Sequence, residues 1–156
     1  MIEYNQGENM IQKMSQKSAE EIAKWHYEEP YDFYDMSNDE EDLHELLYER
    51  GDHYFEVIEN HICIGFYSIM EEDDHIEIGL GLRPDFTGKG HGKKFLEDLL
   101  DYISLNYEKS KLVLSVASFN SRAIHLYENC GFKRIRSFVQ ATNGSFYEFI
   151  EMELCI

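Results

Sequence analysis

Apolar positions along the chain change their spacing several times, and each change marks a passage between helix and strand. In the stretch SQKSAEEIAKWHY, beginning at Ser15, Ala19, Ile22, Ala23 and His26 fall on one helical face. The spacing predicts a helix capped by Ser18, with Glu21 three residues on, and stopped by Pro30. Leu43, Leu46 and Leu47 predict a second helix over about Asp39 to Glu49, capped by Ser37 or Asn38. Three strands follow, from Tyr54 to Glu59, Ile62 to Met70 and Ile76 to Leu82, separated by polar turns at Asn60-His61 and Glu71 to Asp74. Ile76, Ile78, Leu80 and Leu82 alternate, so one face of the third strand is apolar. Helical spacing returns in Phe95, Leu96, Leu99, Leu100 and Ile103, within a helix from Gly88 to about Tyr107. Lys111 to Ala117 reads as a strand, and Ser121 to Asn129 as a helix closed by Gly131. Two last strands, Phe132 to Gln140 and Phe146 to Leu154, flank a turn at Asn143-Gly144. Residues 1–14 are weakly patterned, a first strand or a loose arm, and the aromatic string Tyr31, Phe33, Tyr34 has no assignable period. Helices, meander, βαβ unit, helix and hairpin describe a mixed α/β fold around one sheet, with residues 1–156 as a single domain.

Composition narrows the setting. No apolar run approaches a membrane span and the polar N-terminus lacks a signal-peptide core, which places the protein in the cytoplasm. Cys63, Cys130 and Cys155 are odd in number and scattered, so they read as buried reduced thiols and not as a disulfide framework or metal site. Fourteen Lys and Arg against 31 Asp and Glu leave a net charge of −17, which disfavours nucleic acid and anionic membrane as partners and favours cations. The same charge would also serve solubility alone.

The stretch from Leu80 to Lys94, LGLRPDFTGKGHGKK, carries the chemistry. Gly88, Gly90 and Gly92 alternate directly after a strand and at the start of a long helix. Glycines let successive N–H groups converge, and a helix N-terminus adds unpaired donors and a positive dipole end. Lys89, Lys93 and Lys94 supply cations there, in a chain otherwise negative, so the segment suits a diphosphate. It fits neither GxxxxGK[ST] nor GxGxxG.

Thr87-Gly88-Lys89-Gly90-His91-Gly92 resembles the coenzyme A loop of the GNAT superfamily of N-acetyltransferases, Arg/Gln-x-x-Gly-x-Gly/Ala, except that Thr87 replaces the long first side chain. A second signature of that family lies downstream, with Asn120, Ala123, Tyr127 and Gly131-Phe132 in FNSRAIHLYENCGF. The resemblance runs from about Tyr54 to the end. It implies a mixed, mostly antiparallel sheet flanked by helices and splayed where acetyl-coenzyme A (acetyl-CoA) sits, with no metal. It further implies that Leu80, Gly81 and Leu82 pair their backbone with the pantetheine arm, and that amides from Gly88 through Lys89, Gly90, His91 and Gly92 to Lys93 hold the diphosphate. Asn120 would bond the pantetheine and Tyr127 would protonate the leaving thiolate.

An amine near pKa 10.4 needs a base. Some relatives carry a glutamate where this chain has Ser115, and Glu77, on the strand entering the loop, is the substitute candidate. Alternation puts Glu77 on the polar face with Gly79 and Arg83, where it is either that base or a solvent-facing carboxylate. Tyr31, Phe33 and Tyr34 either line an acceptor pocket or pack the first helices onto the sheet. The expected partner is a cationic amine, small molecule or peptide, with a homodimer left open. Direct attack in a ternary complex is the expected chemistry, and a non-catalytic coenzyme A sensor is the alternative.

Overall fold

The structure, a computed structural model, describes residues 4–6 and 9–156, with side chains from residue 9 onward. One eight-stranded sheet runs in the order β1-β2-β3-β4-β5-β6-β8-β7. The strands are β1 Tyr4–Gln6, β2 Asn9–Lys13, β3 Tyr54–Glu59, β4 Ile62–Glu71, β5 Ile76–Leu82, β6 Lys111–Ala117, β7 Lys133–Thr142 and β8 Ser145–Cys155. Helices α1 Gln16–Ala23, α2 Glu40–Tyr48, α3 Gly92–Asn106 and α4 Ser121–Asn129 flank it. Every neighbouring pair is antiparallel except β5 and β6.

Alternation along the strands sorts side chains onto two faces. On one, Tyr67, Ile76, Ile78, Leu112 and Leu114 pack with Phe95, Leu96 and Leu99 of α3 and Ile124 of α4. On the other, a smaller cluster of Met14, Ala19, Ile22, Leu46 and Cys63 lies under α1 and α2. Polar anchors fix both layers. Asp98 of α3, 3 % exposed, accepts from Asn9 on β2 at 3.2 Å and from Lys94 at 2.8 Å. Glu56 of β3, 4 % exposed, accepts the Ser15 N–H at 2.8 Å and Gln12 Nε2 at 2.6 Å, which holds the start of α1.

Several boundaries move from their sequence-based positions. The N-cap of α1 is Ser15, whose side chain accepts from the Ser18 N–H at 3.1 Å, while Ser18 itself is buried in the first turn. That helix stops at Ala23, well before Pro30. Asp39, and neither Ser37 nor Asn38, caps α2, accepting from the N–H groups of Glu41 and Asp42. The third helix starts at Gly92 and not at Gly88, because Gly88 (φ +70°) and Gly90 (φ +83°) sit in left-handed backbone that a helix cannot contain. The arm at the N-terminus forms β1 and β2 over its described residues. Of the three thiols only Cys63 is buried, since Cys155 ends the exposed tip of β8 and Cys130 is half-buried. Gly131, at φ +100°, closes α4 as expected. The Asn143-Gly144 turn is also as expected, with φ of +50° and +77°.

The decisive feature is the seam between β5 and β6. Their parallel pairing covers only Ile76↔Leu112 and Glu77↔Val113. Beyond it β5 stays bonded to β4 as far as Leu82↔Gly65, and β6 stays bonded to β8 as far as Ala117↔Phe149. Each strand keeps its outer partner, so the sheet opens into two leaves.

Candidate active site

A cleft of about 490 Å³ fills the opening. Ile78 to Leu82 form one wall and Leu114, Ser115 and Val116 the other, with Asn120, Arg122, Ala123, Leu126 and Tyr127 of the α4 region behind. Gly88, Gly90, Gly92 and Lys93 line it from the glycine loop and the start of α3. Trp25, Tyr27, Tyr31, Tyr34, Met36 and Phe66 add an aromatic wall, with Tyr31 next to the glycine loop across Arg122.

The glycine loop presents backbone donors beside a lysine. His91, the N-cap of α3, offers no side-chain bond to the first turn, so the N–H groups there stay available. A Cβ on Gly90 would meet nothing within 4 Å, so the glycine serves the backbone angle and the approach of a ligand. Gly92 has a packing role as well, since a Cβ there would press to 3.1 Å from Leu126. Lys93 lines the cleft, whereas Lys89 and His91 are exposed beside it and the His91 ring packs at a tilt against Phe86. Lys94 is spent on Asp98.

Backbone register decides what β5 offers. Arg83 N–H donates to Ile64 O at 2.8 Å, so alternate residues, including Gly81, turn their backbone groups toward β4. Leu80 and Leu82 therefore present theirs to the opened seam, where the Tyr27 hydroxyl already donates to Leu82 O at 2.6 Å. Gly81 serves packing, because a Cβ there would collide with the Phe66 ring.

Tyr127 reaches the cleft from α4, its ring edge-on to Phe132 at 5.8 Å. Burial, then the neighbouring Tyr34 phenol, holds its hydroxyl well above the usual tyrosine range, so it keeps its proton at neutral pH. Asn120 lies beside it with both ends of its amide engaged: Oδ1 accepts from the Ala123 N–H at 3.1 Å, capping α4, and Nδ2 donates to Tyr34 Oη at 3.0 Å.

Glu77 does not join these residues. It is exposed and lines a second cavity of about 240 Å³, with Glu45, His53, Tyr54, Ser68 and Met70, on the α2 side of the sheet. The two cavities share Ile78, Leu114 and Ser115 as a common wall where the strands part. Burial, together with Glu45 and Asp42, pushes the Tyr54 hydroxyl up to about 12.

The aromatic string divides its labour. Tyr31 and Tyr34 face the cleft, while Phe33 packs on Phe119, Tyr147 and Phe149. Asp35, 8 % exposed, gathers the loop by accepting from the Tyr27 N–H at 2.9 Å and pairing with His26. Asn143, at the β7–β8 turn, donates from Nδ2 to Phe33 O at 2.8 Å. Trp25, Tyr27 and Arg122 escaped the sequence reading. Arg122 alone left a signal, as a cation inside the FNSRA motif of an acidic chain.

Residues 19–132 match the model of the acetyltransferase (GNAT) family. The chain belongs to that family. A spermidine N(1)-acetyltransferase of Vibrio cholerae is 30 % identical over 116 residues, 71 % of this chain and 65 % of that protein, so the match spans just under two thirds of the relative's length. Among solved structures, a GNAT-family acetyltransferase from Bacillus anthracis superposes with a TM-score of 0.76 at 16 % identity, over 99 % of this chain and 98 % of that one. A spermidine N-acetyltransferase from Vibrio cholerae, solved with CoA and spermine, gives 0.70 at 24 % identity over 96 % of each chain. At these identities the structures establish the fold, a GNAT sheet opened between two parallel strands. The glycine end, with its free N–H groups and Lys93, fits the diphosphate of the family's acetyl-CoA. Among the described residues no group of three or more His, Cys, Asp or Glu stands together to hold a metal, and no helix is long and apolar enough to cross a membrane.

Proposed function

We propose that this GNAT protein is a cytoplasmic N-acetyltransferase acting on a primary amine of a polycation, by direct attack within a ternary complex. The cleft through the opened sheet carries the reading: it joins a diphosphate cradle to an aromatic wall, with a protonated tyrosine beside the seam. Acetyl-CoA supplies the thioester; the acceptor nitrogen bonds to its carbonyl carbon as the carbon–sulfur bond breaks.

The protein's part is placement and protons. Gly88 to Lys93 hold the phosphates, and the backbone of Leu80 and Leu82 lies along the pantetheine arm, where an N–H can steady the carbonyl oxygen. Tyr127 gives its proton to the departing sulfur. The aromatic wall and the cavity behind it favour a cationic acceptor, because rings attract ammonium groups and Glu45 and Glu77 supply charge. Within that cavity Glu77 can take the amine's proton through water or hold a second ammonium. The 30 % identical relative, a spermidine N(1)-acetyltransferase, supports a polyamine as the acceptor.

Thiol release from acetyl-CoA, measured across spermidine, spermine, simple monoamines, an aminoglycoside and a peptide N-terminus, tests this directly. The triamine and tetramine should be turned over best. Binding of CoA without thiol release for any amine would make the protein a coenzyme A sensor instead.

A further inference from the structure

The cofactor loop lacks a long polar side chain at its first position. Thr87 stands there, and it is committed to its own turn: Oγ1 donates to Pro84 O at 2.7 Å and the N–H to the same carbonyl at 3.2 Å. A side chain held in this way cannot reach out to a ligand. The space beside the loop is filled from elsewhere in the fold. A Cβ on Gly88 would stand 3.2 Å from Nη1 of Arg122, which projects from the first turn of α4.

Two further observations bear on that guanidinium. Among the described residues it forms no ion pair, although the chain has 31 carboxylates for 14 Lys and Arg. Its central carbon sits over the Tyr31 ring, 4.0 Å from the centroid, so the aromatic face holds it without neutralising it. Arg122 and Lys93 are also the only charged side chains among the described residues lining the cleft. A planar fork of donors suits two phosphate oxygens better than an ammonium does.

We infer that Arg122 is the cation of the diphosphate site, delivered from α4 in place of the long side chain that Thr87 lacks and oriented by Tyr31. This rests on the coenzyme A reading of the glycine loop. The helix that carries Tyr127 would then also grip the phosphates, so cofactor seating and proton donation share one rigid element.

Calorimetric titration of wild type and Arg122→Gln with CoA, 3′-dephospho-CoA and pantetheine tests it without any acceptor. Charge-assisted hydrogen bonds predict a loss on the order of ten- to a hundredfold for CoA and for 3′-dephospho-CoA alike, with pantetheine unchanged. Arg122→Lys should recover part of the affinity. Tyr31→Leu should show a milder loss of the same pattern, and Tyr31→Phe none. Unchanged CoA affinity in Arg122→Gln would overturn the inference. A loss confined to CoA would assign Arg122 to the 3′-phosphate, and an equal loss for pantetheine would make it a structural residue; either result also overturns it. Wild type that binds no CoA would bring down the coenzyme A reading beneath it, a result distinct from all of these.

Discussion

The two cavities that meet at Ile78, Leu114 and Ser115 carry opposite charge. The charged residues lining the larger are Lys93 and Arg122, with no carboxylate among its described lining. The smaller is lined by Glu45 and Glu77, with no lysine or arginine. A net charge of −17 therefore says little about either site. What matters is which face of the sheet each charge occupies, since the strands separate the two by the thickness of one layer. On the proposed function, an anionic cosubstrate and a cationic acceptor would approach from opposite sides and meet where β5 and β6 part.

Removing the proton donor should have the largest effect on this division. Tyr127→Phe keeps the ring and is expected to lower turnover by about 10²–10⁴-fold while CoA affinity stays nearly constant. The raised pKa of Tyr127 gives the pH dependence its sign: the donor stays protonated beyond the ordinary tyrosine value of about 10, so no loss of rate on its account should occur below that pH. A full-speed mutant, with chemistry shown to limit the rate, would remove Tyr127 from the mechanism.

Next in size is the anionic side. Gly90 holds φ +83°, and a bulky L-residue there costs roughly 1–2 kcal/mol in backbone strain as well as blocking the approach of a ligand. Gly90→Val should weaken CoA binding at least tenfold by calorimetry while leaving affinity for the amine alone untouched. Equal weakening on both sides would mean that the two cavities are not independent.

The acidic side should respond in the opposite pattern. Glu45→Gln and Glu77→Gln are each expected to raise the KM of a polycation severalfold, with less effect on a monoamine, and added salt should do the same to wild type. If Glu77 also takes the amine's proton, its variant should lose kcat most near neutrality and recover toward the amine's pKa of about 10.4. A KM indifferent to both substitutions and to salt would reduce the acidic cavity to solvated surface.

The smallest effect concerns the loop that bears the aromatic wall. The hydrogen bond to Asp35, and then its charge, raise the pKa of His26 from 6.5. The folded state binds that proton more tightly than the unfolded chain does. The stabilisation is fully present below pH 6.5 and fades as pH rises through the raised value. Thermal midpoints of wild type should therefore fall slightly across that window relative to His26→Gln. Parallel curves would show that the pair contributes nothing to stability.

Much of the molecule follows from local pattern. The strand Lys111–Ala117 and the helix Ser121–Asn129 stand where the periodicity put them, because each is one uninterrupted run of a single period between clear breakers. The glycine loop was legible for a similar reason: alternating glycines between a strand and a helix mark a break in regular backbone, and Gly88 and Gly90 take the positive φ that only glycine adopts freely. Caps were misplaced where several candidates stood together, as among Ser37, Asn38 and Asp39, since only the geometry of the chain entering the turn selects one.

Long-range geometry accounts for the rest. Glu77 and Tyr127 lie 50 residues apart, and nothing local to either states that one lines the acidic cavity and the other the cleft. Arg122 could be seen in its motif, but its position against Gly88 and over Tyr31 depends on how α4 and the loop before α2 pack around the opened sheet. By itself the sequence determined the order of elements, the glycine loop between β5 and α3 and the family, because these depend on neighbours in the chain. The tertiary structure alone decided where the sheet opens and which charges face each side, because a seam forms between strands whose outer partners come from distant parts of the chain.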